Sequence, residues 1–215
     1  MPILYHKKVL PDVEVGVWHV VEEEDFFLDQ LHFSEKELEQ LGKIKGRRRV
    51  DWLAVRHLLH EMSGREVRGE VIKDEFGKPH LKDTDWHISM SHSHDRAAIV
   101  ASPRLVGLDI QYFVARIDRI AWRVLNQPEM DSLEDDTKLE HMHVYWCAKE
   151  ALYKAYGRRE LDFCRHIIIK PFPLDWEKGF TTGEVIKDDY HKHFEIHYRK
   201  DQEFTLVWAV EQEGF

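Results

Sequence analysis

Gly183-Glu184-Val185-Ile186-Lys187-Asp188 repeats, residue for residue, the earlier stretch Gly69-Glu70-Val71-Ile72-Lys73-Asp74. Upstream of each copy lies a helical pattern carrying Trp-x-Ala-x-x-x-Leu: Trp52, Ala54 and Leu58 before the first, Trp146, Ala148 and Leu152 before the second. Two matches in the same order argue for a duplicated chain. The offsets differ, so the second half carries about twenty extra residues between helix and strand. The expected architecture is α+β and pseudo-duplicated, with two similar halves that each lay a long helix on a small antiparallel sheet. Ser102-Pro103 separates residues 1–103, the N-terminal half, from residues 104–215, the C-terminal half.

Outward from this repeat, local signals place the remaining elements. Residues 2–10 and 13–21 read as strands, because Val13, Val15 and Val17 alternate with Glu14, Gly16 and Trp18. Ser34 with Glu37 forms a capping-box pattern that opens a helix over 35–44. A helix over 46–63 presents Trp52, Val55, Leu58, Leu59 and Met62 on one face and stops at Gly64. Strands follow near 67–73, 79–82, 86–91 and 96–101. In the second half a strand over 105–112 precedes a helix over 116–125. A long helix over 138–156 ends at Gly157, and strands near 165–170, 180–187, 193–199 and 203–211 close the chain.

Apolar residues make up 43% of the 215, and no apolar run approaches the roughly 20 residues a membrane-spanning helix needs. With two cysteines, Cys147 and Cys164, and no basic-then-apolar leader pattern, a reducing cytoplasm is the expected setting. The formal charge of −9 argues against general nucleic-acid binding. Lys43, Lys45, Arg47, Arg48 and Arg49 nevertheless cluster, which suits a small polyanion or an acidic partner.

Four segments carry candidate chemistry. In Val106-Gly107-Leu108-Asp109-Ile110-Gln111, period-2 alternation puts Gly107, Asp109 and Gln111 on one face. An aspartate amid apolar neighbours needs a cation or several donors, and magnesium, which prefers oxygen ligands, would serve. On the helix Trp146 to Lys154, the residues Trp146, Lys149, Glu150, Tyr153 and Lys154 share a stripe. Glu150 and Lys154 make an i,i+4 pair, worth roughly 0.3–0.5 kcal/mol on an exposed helix. Ser91-His92-Ser93 ends a strand with donors suited to phosphate, and Lys78 sits in a Gly77-Lys78-Pro79 turn. Neither this histidine run nor the pair His141 and His143 has the spacing of a zinc signature.

Taken in order, these segments resemble the 4′-phosphopantetheinyl transferase superfamily, in its larger pseudo-dimeric, surfactin-synthetase-activating type. The resemblance rests on Gly77-Lys78-Pro79, Ser91-His92-Ser93, Gly107-Leu108-Asp109-Ile110-Gln111 and Trp146-Cys147-Ala148-Lys149-Glu150-Ala151-Leu152-Tyr153-Lys154. It implies a magnesium-dependent enzyme that moves the phosphopantetheine arm of coenzyme A onto a serine of an acyl or peptidyl carrier protein, releasing 3′,5′-adenosine diphosphate.

By that resemblance Asp109, Gln111 and Glu150 hold Mg2+, Glu150 is the general base, and Lys154 steadies Glu150 and the leaving group. Arg47, Arg56, Lys78, Ser91 and His92 hold the coenzyme A nucleotide. A monomer is expected. Gln111 departs from the family pattern by replacing a second carboxylate, which removes one negative charge from the metal site. The alternative reading is therefore a catalytically silent relative that binds carrier proteins or coenzyme A.

Overall fold

A computed structural model describes residues 3–213 of the chain. Pro2, where the sequence reading starts the first strand, lies outside the described residues. The chain forms two compact units, Met1–Pro103 and Arg104–Phe215.

The N-terminal unit runs β1 (Ile3–Leu10), β2 (Val13–His19), α1 (Glu24–Gln30), α2 (Glu35–Lys43), α3 (Arg47–Ser63), β3 (Val71–Lys73), β4 (Pro79–Leu81), β5 (His87–Ser93) and β6 (Arg96–Ser102). Its antiparallel sheet has the order β1-β2-β6-β5-β4-β3. Helix α3 lies on this sheet, with Leu53, Ala54 and Leu58 fully buried in a core that includes Ile88, Ala97 and Ile99. Each such fully buried Leu or Ile is worth roughly 1.5–3 kcal/mol relative to exposure.

The C-terminal unit runs β7 (Val106–Tyr112), a 3-10 turn at Ala115–Ile117, α4 (Asp118–Val124), α5 (Gln127–Asp131), a second 3-10 turn at Asp135–Thr137, α6 (Lys138–Tyr156), β8 (Ile167–Ile169), β9 (Lys178–Lys187), β10 (Tyr190–Lys200) and β11 (Phe204–Glu211). The sheet order is β7-β11-β10-β9-β8, antiparallel throughout. Cys147, Ala148, Ala151, Leu152 and Ala155 of α6 pack in one core with Val185, Phe194, Ile196, Val207 and Ala209. Glycines in the left-handed conformation stop both long helices, Gly64 at φ 59° and Gly157 at φ 72°.

The duplication is real, but the identical hexapeptides do not carry it. The order β2-β6-β5-β4-β3 matches β7-β11-β10-β9-β8 strand for strand, with β1 added to the first sheet. In that match β3 corresponds to β8 and β4 to β9. Gly69–Asp74 contains β3, whereas Gly183–Asp188 covers the end of β9, one strand out of equivalence. The helix match does hold, since Ala54, Leu58, Ala148 and Leu152 are all fully buried.

A stronger mark of duplication is a pair of buried glutamates. Ser34 and Glu37 close a capping box on α2, and Asn126 and Glu129 close one on α5. Each glutamate also accepts the backbone N–H of the strand that follows the long helix, Val71 for Glu37 and Ile169 for Glu129. Each is paired with buried cations, Arg56 and Arg68 in the first unit and Lys149 in the second. One carboxylate thus ties the short helix, the long helix and the next strand together in each unit.

Glycine sets how closely the long helix approaches the sheet. A Cβ on Gly107 of β7 would lie 1.8 Å from the Ala151 carbonyl oxygen of α6. On Gly16 of β2 it would meet side chains and no backbone, the flexible end of Met62 at 2.4 Å from Sδ and Leu58 Cδ1 at 3.1 Å. We expect Gly107→Ala to destabilise by about 1–3 kcal/mol or more, because backbone must move, and Gly16→Ala to cost less. Urea unfolding of the two variants checks this ordering.

His141 and His143, two positions apart on α6, have different surroundings. His143 donates Nδ1–H to the Leu139 carbonyl and accepts the Val114 N–H at Nε2, which fixes it as a neutral ring. His141 is stacked on Tyr145 at 4.9 Å and edge-on to Phe172 at 4.7 Å, and neither ring nitrogen has a hydrogen-bond partner among the described residues. Burial pulls its pKa down to about 4. The unfolded ring titrates near 6.5, so protons bind the unfolded chain first as the pH falls. This residue's contribution to stability is complete above pH ~6.5 and is lost towards pH ~4, a change of about 3 kcal/mol. The His141→Phe variant is expected to lose that pH slope and to gain stability at neutral pH, measured as melting temperature from pH 7.5 to 4.

Candidate functional site

In the C-terminal unit, the close approach at Gly107 brings α6 down on the strand that carries Asp109 two residues later. Asp109 lies on the same face of β7 as Gly107 and is 7% exposed. Glu150 and Lys154, one helical turn apart, are on the side of α6 that meets this strand. Lys154 Nζ donates to Asp109 Oδ1 at 2.7 Å and to the Leu108 carbonyl at 3.0 Å. The i,i+4 pair expected from the sequence is therefore replaced: Lys154 reaches across to β7, where carboxylate and carbonyl together offer a better seat than Glu150.

Glu150 itself makes no hydrogen bond or ion pair among the described residues. Burial raises its pKa first, the Asp109 charge raises it further, and Lys154 opposes both. Cys147, also against Asp109, is fully buried, and burial with the neighbouring carboxylate holds its thiol protonated. Two carboxylates, one buried and one partly buried, beside a single lysine concentrate oxygen donors and negative charge in one place. Such an arrangement calls for a cation, and oxygen donors of this kind suit Mg2+. Gln111, two residues beyond Asp109, donates its amide to the Tyr112 carbonyl at 3.3 Å, which leaves its side-chain oxygen for another partner. The residues present thus fit a hard divalent cation.

Lys149 belongs to the interior rather than to the site stripe. It is wholly buried and bonded to Glu129 at 2.7 Å and to the Phe163 and Ile167 carbonyls, each at 2.9 Å. Burial pushes the Glu129 carboxyl up and the Lys149 ammonium down, and their mutual attraction opposes both shifts. Trp146 and Tyr153 face Phe163, at 6.0 and 5.4 Å.

The N-terminal unit contains a cavity of about 610 Å³ whose wall carries Lys43, Lys45, Arg48, Arg56 and Lys73. Among the described residues no carboxylate lines it, so the cavity is a concentrated positive field. Ser91, His92, Trp52 and Met90 complete much of the wall, adding hydrogen-bonding groups and two flat or apolar surfaces.

The sequence-predicted residues divide. Ser91, His92 and Arg56 line the cavity, whereas Arg47 and Lys78 do not. Arg47 bonds Asp51 at 3.3 Å and the Val20 carbonyl at 3.1 Å, and Arg48 takes the place in the wall. Lys78 sits between Gly77 and Pro79, which both reach the cavity. Its N–H is bound to Asp74 at 2.9 Å in a turn where Gly77 has φ 90°.

Arg56 is 2% exposed, lies 3.3 Å above the Trp52 ring, and faces Glu37 at 3.5 Å, so much of its bonding capacity is already used internally. Burial lowers its pKa, yet it remains charged at neutrality. Asp51, not identified from the sequence, holds Arg47 on one oxygen and lies 3.4 Å from His92 Nδ1 on the other. Its i+4 spacing from Arg47 was the available signal. Arg49 also leaves the basic cluster: it binds Glu24 and the Leu41 and Ile44 carbonyls, joining α1, α2 and α3.

Residues 105–210 match the family model of the 4′-phosphopantetheinyl transferase superfamily, and the matched segment contains Asp109, Gln111, Glu150 and Lys154. No curated protein sequence matches the chain.

Proposed function

We propose that this chain transfers the 4′-phosphopantetheine arm of coenzyme A to a serine of an acyl or peptidyl carrier protein, with Mg2+ held by Asp109 and Glu150. The observation that carries the proposal is a buried carboxylate, Asp109, and a partly buried one, Glu150, beside one lysine, inside the segment that matches the transferase superfamily. The matching strand order of the two units supports the larger, pseudo-dimeric type, acting as a monomer. The two free cysteines suit a reducing, cytoplasmic setting.

In this reading the carrier serine Oγ attacks the phosphorus that bears the pantetheine arm. The bond from that phosphorus to the oxygen of the adenosine 5′-phosphate breaks, and 3′,5′-adenosine diphosphate leaves. Glu150 receives the serine proton, directly or through a water. Its burial makes it a stronger base than a solvated carboxylate. The bound magnesium would neutralise charge on the pyrophosphate oxygens. Asp109 orients Lys154, whose ammonium offsets charge on the leaving group. The cationic cavity of the N-terminal unit takes the nucleotide phosphates, with Ser91 and His92 as donors, Trp52 as an aromatic surface and Arg56 as a largely fixed charge. Gln111 offers the metal a neutral oxygen, which predicts weaker magnesium affinity than a carboxylate would give.

The test is intact-mass spectrometry of an apo carrier protein incubated with the chain, coenzyme A and magnesium. A gain equal to one phosphopantetheine arm, abolished by chelation of the metal, is the expected result. No gain on any of several carriers, with coenzyme A still bound, would replace this reading by the silent relative and point to Gln111.

A further inference from the structure

The hairpin of β9 and β10 carries a second group of ligand-bearing side chains, independent of the proposed transferase site. His191 and His193 are two apart on β10, so the pleat turns both rings to one face. Glu184 of β9 lies directly opposite His193 in the ladder. Val185, its neighbour, is fully buried in the core with α6, so Glu184 and the two histidines are on the sheet face turned away from that helix. Asp109 shares its face with Gly107, which meets α6, so the two groups stand on opposite faces of the sheet.

We propose that Glu184, His191 and His193 bind a transition-metal ion of the zinc, nickel or copper class. Their ligand atoms all lie within 4.8 Å of one another. Glu184 Oε2 is 2.7 Å from His191 Nε2 and 3.6 Å from His193 Nδ1. A tetrahedral ion with bonds of roughly 2.0–2.1 Å holds its ligands ~3.3 Å apart, so only small side-chain rotations separate this arrangement from a bound one. The two rings are 4.6 Å apart and tilted by 46°, which lets two nitrogens converge on a point without the rings colliding.

Two imidazoles and one carboxylate select against magnesium and calcium, which prefer all-oxygen shells, and favour the borderline metals. The backbone fixes the cluster, because the three residues belong to a continuous antiparallel ladder from Tyr190↔Lys187 to Arg199↔Lys178. A cavity of about 440 Å³ borders Glu184 and His193. Thr182, Lys170 and Gln212 also line it, so the metal's remaining positions face polar groups and water. Three protein ligands with an open side is the pattern of a site that accepts an exogenous oxygen ligand.

The experiment titrates Zn2+ into the metal-free full chain against a fluorescent chelator and repeats it with Ni2+. One equivalent is expected to bind to the wild type, to be lost in His191→Ala/His193→Ala, and to be retained in Asp109→Asn. Zn2+ should also raise the melting temperature of the wild type but not of the double variant. Should the double variant fail to fold, Glu184→Gln, nearly isosteric, decides through weakened uptake. A wild type that takes up no zinc, or an equivalent that survives all three substitutions, overturns the proposal.

Discussion

Glu150→Gln is expected to lower the transfer rate about 10²–10⁴-fold, the range a positioned general base contributes. The loss should fall on kcat, since the cationic cavity that would hold the nucleotide belongs to the other unit and is untouched. The stability of this variant separates catalysis from structure. Glu150 has no hydrogen bond or ion pair among the described residues, and burial beside Asp109 disfavours its charge. Removing that charge should leave the melting temperature unchanged or raised, as happens where a site holds a group against its own stability. Asp109→Asn differs, because it also strips Lys154 of its partner at 2.7 Å and should lose some stability along with activity. A Glu150→Gln protein with undiminished transfer would remove Glu150 from the role of base. One with a much lower melting temperature would make it a structural residue.

The fold was most legible where a signal is local. Ser34 with Glu37, and the glycines that end α3 and α6, fixed helix limits to within a residue or two, because a cap acts through neighbours three or four positions away. Helix α1 carries no such signal: its seven residues, Glu24–Gln30, follow Glu23 without a side-chain cap, so nothing in the sequence announces it. The hexapeptide repeat gave the right architecture through a coincidence of strand composition. The true equivalence, Glu37 with Glu129, shows only when strands distant in sequence are seen to share a carboxylate.

At the candidate site the residue types were readable and their partners were not. Helical spacing put Lys154 with Glu150, but it cannot reveal that β7, more than forty residues earlier, offers Asp109 and a carbonyl. Likewise Arg49 reads as one more solvated cation until Glu24 and two carbonyls are found around it. Reversing charge across the whole basic cluster would therefore confuse docking with folding. Arg48, in the cavity wall, is the position at which a charge change probes ligand binding.

Lys149→Met is expected to destabilise the C-terminal unit by about 3–5 kcal/mol, the cost of leaving a buried carboxylate without its cation. Glu129 would keep the Ile169 and Asn126 N–H donors, which are neutral and cannot balance its charge. Lys149 also supplies the Phe163 and Ile167 carbonyls at the entry to β8, so its removal loosens the join between α6 and that strand. The reverse change, Glu129→Leu, strands the ammonium and opens the capping box of α5 at the same time. Each single variant thus leaves a charge behind in the core. Glu129→Leu/Lys149→Met leaves none, although four backbone groups still lose their partners. The double variant should accordingly be damaged well short of the sum of the two singles, a coupling read directly from urea unfolding of the four proteins. Strict additivity would mean that water reaches the pair and that the two residues do not depend on each other. The same cycle on Glu37 and Arg68 should give smaller coupling, because Arg56 remains beside the orphaned carboxylate at 3.5 Å.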